Sequence, residues 1–123
     1  MRSRGSDGGG RMKLTKEEYM ATKQTDRHVV AIVRAPNSNW ARVIFGRLVE
    51  QREKLVVLAQ ARQALYYDSK TGGELGLAAF GPTGQCRISG EASRVELSEF
   101  GGLLMDCSPQ AIESWHSAPV FRG

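Results

Sequence analysis

Apolar residues are concentrated in three runs between residues 28 and 61, separated by polar turn formers. HVVAIVRA, from His28, is β-branched and apolar, which predicts a largely buried strand that stops at the PNSN turn. WARVIFGRLVE, from Trp40, alternates with apolar groups on both faces, which predicts a strand covered twice or lying at a subunit contact. Gly46 within it marks a bend, a bulge or a close approach. Polar QREK closes a hairpin, and LVVLAQA, from Leu55, predicts the third strand.

The elements after residue 72 are shorter. A Gly-Gly pair precedes a brief apolar helix that a Gly-Pro pair ends. CRIS, SRVEL and GGLLMDC predict short strands. Ser108 provides an N-cap and Pro109 a first helical position, which predicts a helix over about 109 to 117 with Ile112 and Trp115 on one side. The pattern predicts an α+β domain with a small, mostly antiparallel, meander or barrel-like sheet and two short helices.

The first segment differs in composition from the rest. Residues 1 to 12 are mainly Gly, Ser and Arg with little to bury, which predicts an extended arm. The following TKEE has the form of a capping box and predicts a short helix over about 16 to 23. We therefore divide the chain into an arm at 1 to 27 and a single domain at 28 to 123.

Charge follows the same division. Residues 1 to 30 carry seven bases and four acids, a net +3, whereas residues 31 to 123 carry ten bases and nine acids, a net +1. A basic arm on a nearly neutral body favours contact with an acidic surface, the alternative being a solubilising tail. The residues expected to make that contact are Arg2, Arg4, Arg11, Lys13 and Lys16.

Composition limits the other functions. The chain of 123 residues fits one domain with a small core. No apolar run approaches the roughly 18 residues of a membrane span, so we expect no membrane contact. Cys86 and Cys107, like His28 and His116, come from separate segments without local ligand pairs. We expect buried, reduced thiols, no metal and no cofactor.

No motif specifies a reaction. GPTGQ, residues 81 to 85, resembles half a phosphate loop but lacks the Lys-Ser/Thr that opens the helix, and it predicts a turn. Two histidines without a diagnostic setting do not specify a triad, and Glu96 and Glu99 have no apolar setting suited to acid catalysis. We expect the protein not to be an enzyme.

Arg62 has the most unusual placement, between the third strand and two tyrosines. One interpretation is an arginine that satisfies backbone carbonyls where the strand ends, with the tyrosines packed along its stem. The other is a ligand or partner contact, because a guanidinium stacks on rings and binds anions. The candidate ligand or contact site comprises Arg34, Arg62, Tyr66 and Tyr67.

Over about residues 30 to 121 the chain resembles a family of small uncharacterised proteins from tailed phages and prophages, a domain of unknown function. The matching residues are Val33 and Arg34; Ala41 and Val43; Gly46 and Leu48; Val56, Val57 and Leu58; Ala61 and Arg62; Tyr66 and Tyr67; Leu75; Cys86; Cys107 and Ser108; and Pro119. The chain departs from the pattern in four side chains and in a longer turn before Trp40. Arg42 replaces a glycine, Gln63 an arginine, and Leu65 and Tyr67 replace tryptophans.

The resemblance implies a phage-encoded protein and carries no known activity. Our first hypothesis is a non-enzymatic virion component, a capsid decoration or accessory protein, that forms homo-oligomers and binds capsid or tail proteins through its arm. It would be found in the virion and the host cytoplasm. One alternative is a protein that binds a nucleotide signal at Arg62, Tyr66 and Arg34 in an intersubunit pocket and so acts against host defence. The other alternative is a protein that binds nucleic acid non-specifically through the arm, and nucleic acid is the less favoured partner.

Overall fold

A computed structural model describes residues 26–34 and 41–122, so the predicted helix at 16 to 23 and the five basic arm residues lie outside the described residues. The strands are β1 (His28–Arg34), β2 (Ala41–Arg52), β3 (Leu55–Tyr66), β4 (Arg87–Ile88), β5 (Ala92–Leu97) and β6 (Gly102–Asp106). A 3-10 turn (Ser69–Thr71) and the helices α1 (Gly73–Ala79) and α2 (Pro109–Ser117) complete the described elements. The predicted order of strands and helices in this part of the chain is confirmed.

The strands form one mostly antiparallel, open sheet. β1 lies between β2 and β6, and β2 lies between β1 and β3. The far side of β3 pairs first with β5, through Val56 to Ala61, and then with β4, through Ala64 and Tyr66. The predicted barrel-like form is wrong, because no ladder among the described strands joins β6 to β4 or β5, as closure requires.

Both faces of this sheet carry a buried apolar cluster. α1 and α2 pack on one face, because Leu77 and Ala78 of α1 and Ala111 and Trp115 of α2 belong to the same cluster as the inward side chains of the sheet. The strand members of that cluster are Val30, Ile32, Val43, Phe45, Ala64 and Ile88. The cluster on the opposite face consists of Val29, Ala31, Ile44, Leu48, Val56, Leu58 and Ala61. β2 contributes to both clusters, as its alternating pattern predicted.

A β-bulge in β3 decides which face Arg62 occupies. Phe45 pairs with Arg62 but Arg47 pairs with Ala59, so β3 contains one extra residue at this point. Gln60 has φ 52°, a conformation that few residues other than glycine adopt. The extra residue places Leu58 and Ala61 on the same face, and it turns Arg62 toward the helices. The sequence predicted that the strand ends before Arg62; this is wrong, since β3 continues to Tyr66.

Gly46 is the close approach that the sequence indicated. A Cβ at this position would lie 2.9 Å from Cβ of Leu58 and 3.2 Å from the carbonyl oxygen of Ala59. Gly46 also stands opposite the bulge, between the paired positions Phe45 and Arg47. A side chain here would force the two long strands apart.

The body of the fold includes residues just before β1. The Leu48 N–H donates to the carbonyl oxygen of Arg27 at 2.7 Å, and Arg27 Nε lies 2.6 Å from Asp106 Oδ1. Arg27 is therefore joined to β2 and to the end of β6. None of the helices in the described ranges is long and apolar enough to cross a membrane.

Candidate functional site

Arg62 is a buried arginine that connects three parts of the fold. Its side chain is 4% exposed. Nε donates to the carbonyl oxygen of Ser89 at 2.9 Å, and Nη1 donates to the carbonyl oxygens of Trp115 at 2.6 Å and His116 at 3.5 Å. Burial lowers the pKa of the guanidinium, opposed by the charge of Glu91, but an arginine starts so high that it stays cationic at neutral pH.

These bonds place a positive charge at the last carbonyls of α2, where the helix dipole is negative. Arg62 Nη2 is buried and has no hydrogen-bond partner among the described residues. The backbone-carbonyl interpretation therefore describes its contacts. The partners differ from those expected: they belong to the segment after β4 and to α2, and not to the loop that follows β3.

An aromatic stack lies beside the last turn of α2. The rings of Phe45 and Trp115 are parallel, with centroids 5.1 Å apart, and His28 stacks on Phe45 at 5.8 Å. His116 meets Phe45 edge-on at 5.2 Å and His28 at 5.7 Å. Trp115 Nε1 donates to the carbonyl oxygen of Leu77 at 2.9 Å. The stack therefore joins β1, β2, α1 and α2 and brings together both histidines of the chain.

Burial lowers the pKa of His28, and the nearby His116 and Arg47 act in the same direction. A hydrogen bond between Nδ1 of His28 and the carbonyl oxygen of Asp26, at 3.0 Å, opposes this shift. The neutral imidazole is therefore the form that the fold favours. Among the described residues, no group of three or more His, Cys, Asp or Glu could hold a metal ion.

Arg34 and Tyr67 meet through a carboxylate. Arg34 Nη2 donates to both oxygens of Glu74, at 2.9 and 2.7 Å, and the Tyr67 hydroxyl donates to Glu74 Oε2 at 3.3 Å. Burial raises the pKa of Tyr67, and the charge of Glu74 raises it further. Since Glu74 lies in the first turn of α1, this contact fixes α1 against the end of β1.

Tyr66 belongs to a third, separate contact. Arg87 Cζ lies 5.5 Å from the centroid of the Tyr66 ring and 5.0 Å from that of Phe121. These are cation–π distances, so the guanidinium contacts both rings. We call the surface formed by Tyr66, Arg87, Val120 and Phe121 the Arg87 patch.

The four residues of the sequence-based candidate site are thus divided among three contacts in the described part of the chain. Arg34 and Tyr67 share Glu74, Arg62 bonds to backbone carbonyls, and Tyr66 stacks on Arg87. Neither Glu74 nor Arg87 was predicted from the sequence as a residue of this site. A carboxylate in the first turn of a predicted helix was a signal for Glu74, whereas only the pairing of β3 with β4 brings Arg87 to Tyr66.

Two clefts border these groups. A small cleft of about 110 Å³ is lined by residues from β2, β3, β5 and the segment 89 to 90, with Arg62 among them. A wider groove of about 440 Å³ runs between α1 and β6. Its walls include Leu75, Ala78, Met105 and Cys107.

Both cysteines are free thiols of intermediate burial. Burial raises the pKa of Cys107 to about 12, and the charge of Asp106 acts in the same direction. A thiol with this pKa is almost wholly protonated at neutral pH and is a poor nucleophile. Cys107 is therefore part of the groove wall and is not suited to covalent catalysis.

Comparison with known proteins places most of the domain in one family. A family model described as a domain of unknown function (DUF6948) matches residues 29–115, which cover the six described strands except His28, the first residue of β1. A search of the curated proteins found no match, and neither did a search of the solved structures.

Proposed function

Because the chain belongs to the DUF6948 family of unknown function, its role has to be argued from its own surface, and we propose that it is a non-enzymatic accessory component of a phage particle. In this proposal the folded domain makes protein contacts on a capsid or tail lattice, and the basic arm anchors it there. The resemblance to small tailed-phage and prophage proteins supports the biological setting.

The observation that carries the proposal is the number of large apolar side chains that face solvent. Leu75 and Phe80 of the α1 region are 67% and 59% exposed. The other members of this set are Val49, Leu65, Tyr66, Leu103, Val120 and Phe121. Exposed apolar groups that cluster, instead of occurring singly, mark surfaces that bind other proteins.

Two regions of the sheet carry several of these side chains. Leu75 lies on the groove of about 440 Å³ between α1 and β6, and Leu103 is exposed on β6 itself. At the opposite edge of the sheet, Tyr66 and Phe121 lie at cation–π distance from Arg87, and Val120 is bridged to the adjacent Ile88. A protein with contact surfaces at both edges of its sheet is suited to a position between neighbours in a lattice.

A repeated lattice also makes weak contacts sufficient. Many copies held side by side gain avidity without any single strong site. The arm adds an electrostatic contact, because residues 1 to 30 carry the greater part of the net positive charge and capsid surfaces offer acidic partners.

The proposal is tested on particles. We expect quantitative mass spectrometry of purified particles to detect the protein at a fixed ratio to the major capsid or tail protein. A truncation of residues 1–25 keeps Arg27 and its bonds to Leu48 and Asp106, so the domain should retain its circular dichroism spectrum. We expect this truncation to remove the protein from particles.

A matched control separates charge from length. Replacing Arg2, Arg4, Arg11, Lys13 and Lys16 by glutamine keeps the arm but removes five positive charges. If the contact is electrostatic, this variant should be lost from particles like the truncation. Particles that lack the wild-type protein, or that hold normal amounts of the truncated one, would contradict the proposal.

A further inference from the structure

The Arg87 patch is held in place by backbone pairing. Tyr66 of β3 pairs directly with Arg87 of β4. On the other side of β4, Val120 forms a parallel bridge to Ile88, and the Phe121 N–H donates to the carbonyl oxygen of Ile88 at 2.8 Å. The two rings are therefore carried by chain segments on either side of Arg87, and their spacing is set by the sheet.

The patch is open to solvent. Tyr66 is 49% exposed and Phe121 is 40% exposed, and Val120 and Arg87 are exposed as well. None of the ion pairs between described residues involves Arg87. The guanidinium lies at cation–π distance from two rings, and its N–H groups have no carboxylate partner among the described residues.

Two cation–π contacts restrict the Arg87 side chain before any anion binds. A side chain that is already restricted loses less entropy on binding. The planar fork matches a carboxylate, with two parallel N–H to oxygen bonds. Tyrosine and arginine are also the residues that dominate the energy of protein interfaces.

We propose that the Arg87 patch binds an acidic segment of a protein partner, with a carboxylate on Arg87 and an adjacent apolar side chain on Tyr66, Val120 and Phe121. This inference rests on the proposed function, because it takes the partner to be a protein of the particle. A protein partner is favoured over nucleic acid because a strand needs a row of cations, whereas the Arg87 patch, even with the neighbouring exposed Arg122, offers at most two cations among apolar groups.

The test uses two arginines in similar places. Arg87 of β4 and Arg94 of β5 are both exposed and both lie on strands that pair with β3, but Arg94 is paired with Glu96. The full-length Arg87→Ala and Arg94→Ala proteins are expressed during infection, and their amounts in purified particles are measured by mass spectrometry. We expect about a tenfold loss for Arg87→Ala, the size of a hot-spot truncation, and less than about a twofold change for Arg94→Ala.

The outcomes separate the two proposals. Wild-type protein in particles together with equal amounts of Arg87→Ala would overturn the patch and leave the proposed function standing. Absence of the wild-type protein from particles would contradict the proposed function. A second measurement then tests separately whether the Arg87 patch binds an acidic segment.

That measurement is an array of overlapping peptides from every protein encoded in the same genome, this chain included, probed with the full-length protein. We expect the bound peptides to contain Asp or Glu beside a large apolar residue, and we expect Arg87→Ala to lose them while Arg94→Ala keeps them. The patch inference would be wrong if no peptide binds, if the two variants bind alike, or if only peptides of the chain itself bind. It would also be wrong if Arg87→Ala instead abolishes binding of a single-stranded oligonucleotide.

Discussion

Replacement of Arg62 by methionine should destabilise the fold strongly, because it removes the donors that bridge β3, the segment after β4 and α2. Methionine keeps an unbranched stem that follows the arginine as far as Nε, so the loss is confined mainly to the guanidinium. The bonds at 2.9 Å to Ser89 and 2.6 Å to Trp115 are both lost. The bond at 3.5 Å to His116 is too long to add much.

The size of the effect follows from two opposing contributions. Hydrogen bonds from a charged donor contribute about 1.5 to 3 kcal/mol each, and two carbonyls would lose their partners. Against this, the variant no longer buries a guanidinium whose Nη2 lacks a hydrogen-bond partner in the described ranges, and removing a poorly satisfied buried charge is favourable. We expect a net loss of about 2 to 4 kcal/mol in the free energy of unfolding, which in a domain of this size lowers Tm by roughly 10 to 25 °C.

The assay is urea unfolding of the full-length protein followed by tryptophan fluorescence, since Trp115 lies in the buried cluster at the site of the change. Arg94→Met is the control: its ion pair with Glu96 is exposed, and we expect a change below about 0.5 kcal/mol. The free energy of unfolding of Arg62→Lys should lie between those of the wild type and Arg62→Met, because one ammonium group cannot replace a guanidinium that reaches both carbonyl oxygens. An Arg62→Met protein within about 0.5 kcal/mol of the wild type would refute this reasoning.

Three further predictions concern stability. Burial lowers the pKa of His28 below its ordinary 6.5, so just below that pH the unfolded chain binds more protons than the folded one. The free energy of unfolding should therefore fall as pH decreases from about 7.5 to about 5.5. His28→Gln should show a smaller fall in urea midpoint over this range, and an equal fall would contradict the prediction. Gly46→Ala places a methyl group 2.9 Å from Leu58 Cβ and should lower the free energy of unfolding in denaturant by about 1 to 3 kcal/mol. Gly84→Ala, which has open space around it, should be near neutral. Equal effects would contradict the prediction, because they would show that the strands move apart at Gly46 without cost. Ser108→Ala removes the hydrogen bond from the Ala111 N–H and the bond to the Ala79 carbonyl oxygen. Thermal unfolding should show that the free energy of unfolding falls by about 1 to 2 kcal/mol, with little change in the control Ser93→Ala. An unchanged Tm would exclude a role for this cap.

The order of elements in the described part of the chain could be predicted because it depends on local signals. Alternating apolar residues indicated β2, and Ser108 with Pro109 indicated the start of α2, where the structure shows the cap bond at 3.0 Å. Gly46 was recognisable because glycine inside a strand marks a bend, a bulge or a close approach, and the structure shows the close approach opposite a bulge. Each of these signals lies within the element that it predicts.

The end of β3 was predicted wrongly for a physical reason. After the apolar run LVVLA, polar residues appear at Gln60, Arg62 and Gln63, which is the usual sign that a buried strand stops. A bulge shifts the period by one residue while the strand continues, and the signal for it was weak because Gln60 is not a glycine. The error moved Arg62 from the middle of a strand to its end, and with it the expected bonding partners.

The contacts of the candidate site were harder to predict, because they depend on which segments the fold brings side by side. Tyr66 and Arg87 are neighbours only because β4 pairs with the last residues of β3. Phe121 reaches them because Val120 forms a bridge to Ile88 and the Phe121 N–H donates to the Ile88 carbonyl oxygen. Nothing local to Arg87 distinguishes it from the other exposed arginines of the chain. What distinguishes Arg87 is that it lies at cation–π distance from two rings and has no carboxylate partner among the described residues, and both facts depend on how the fold pairs distant segments.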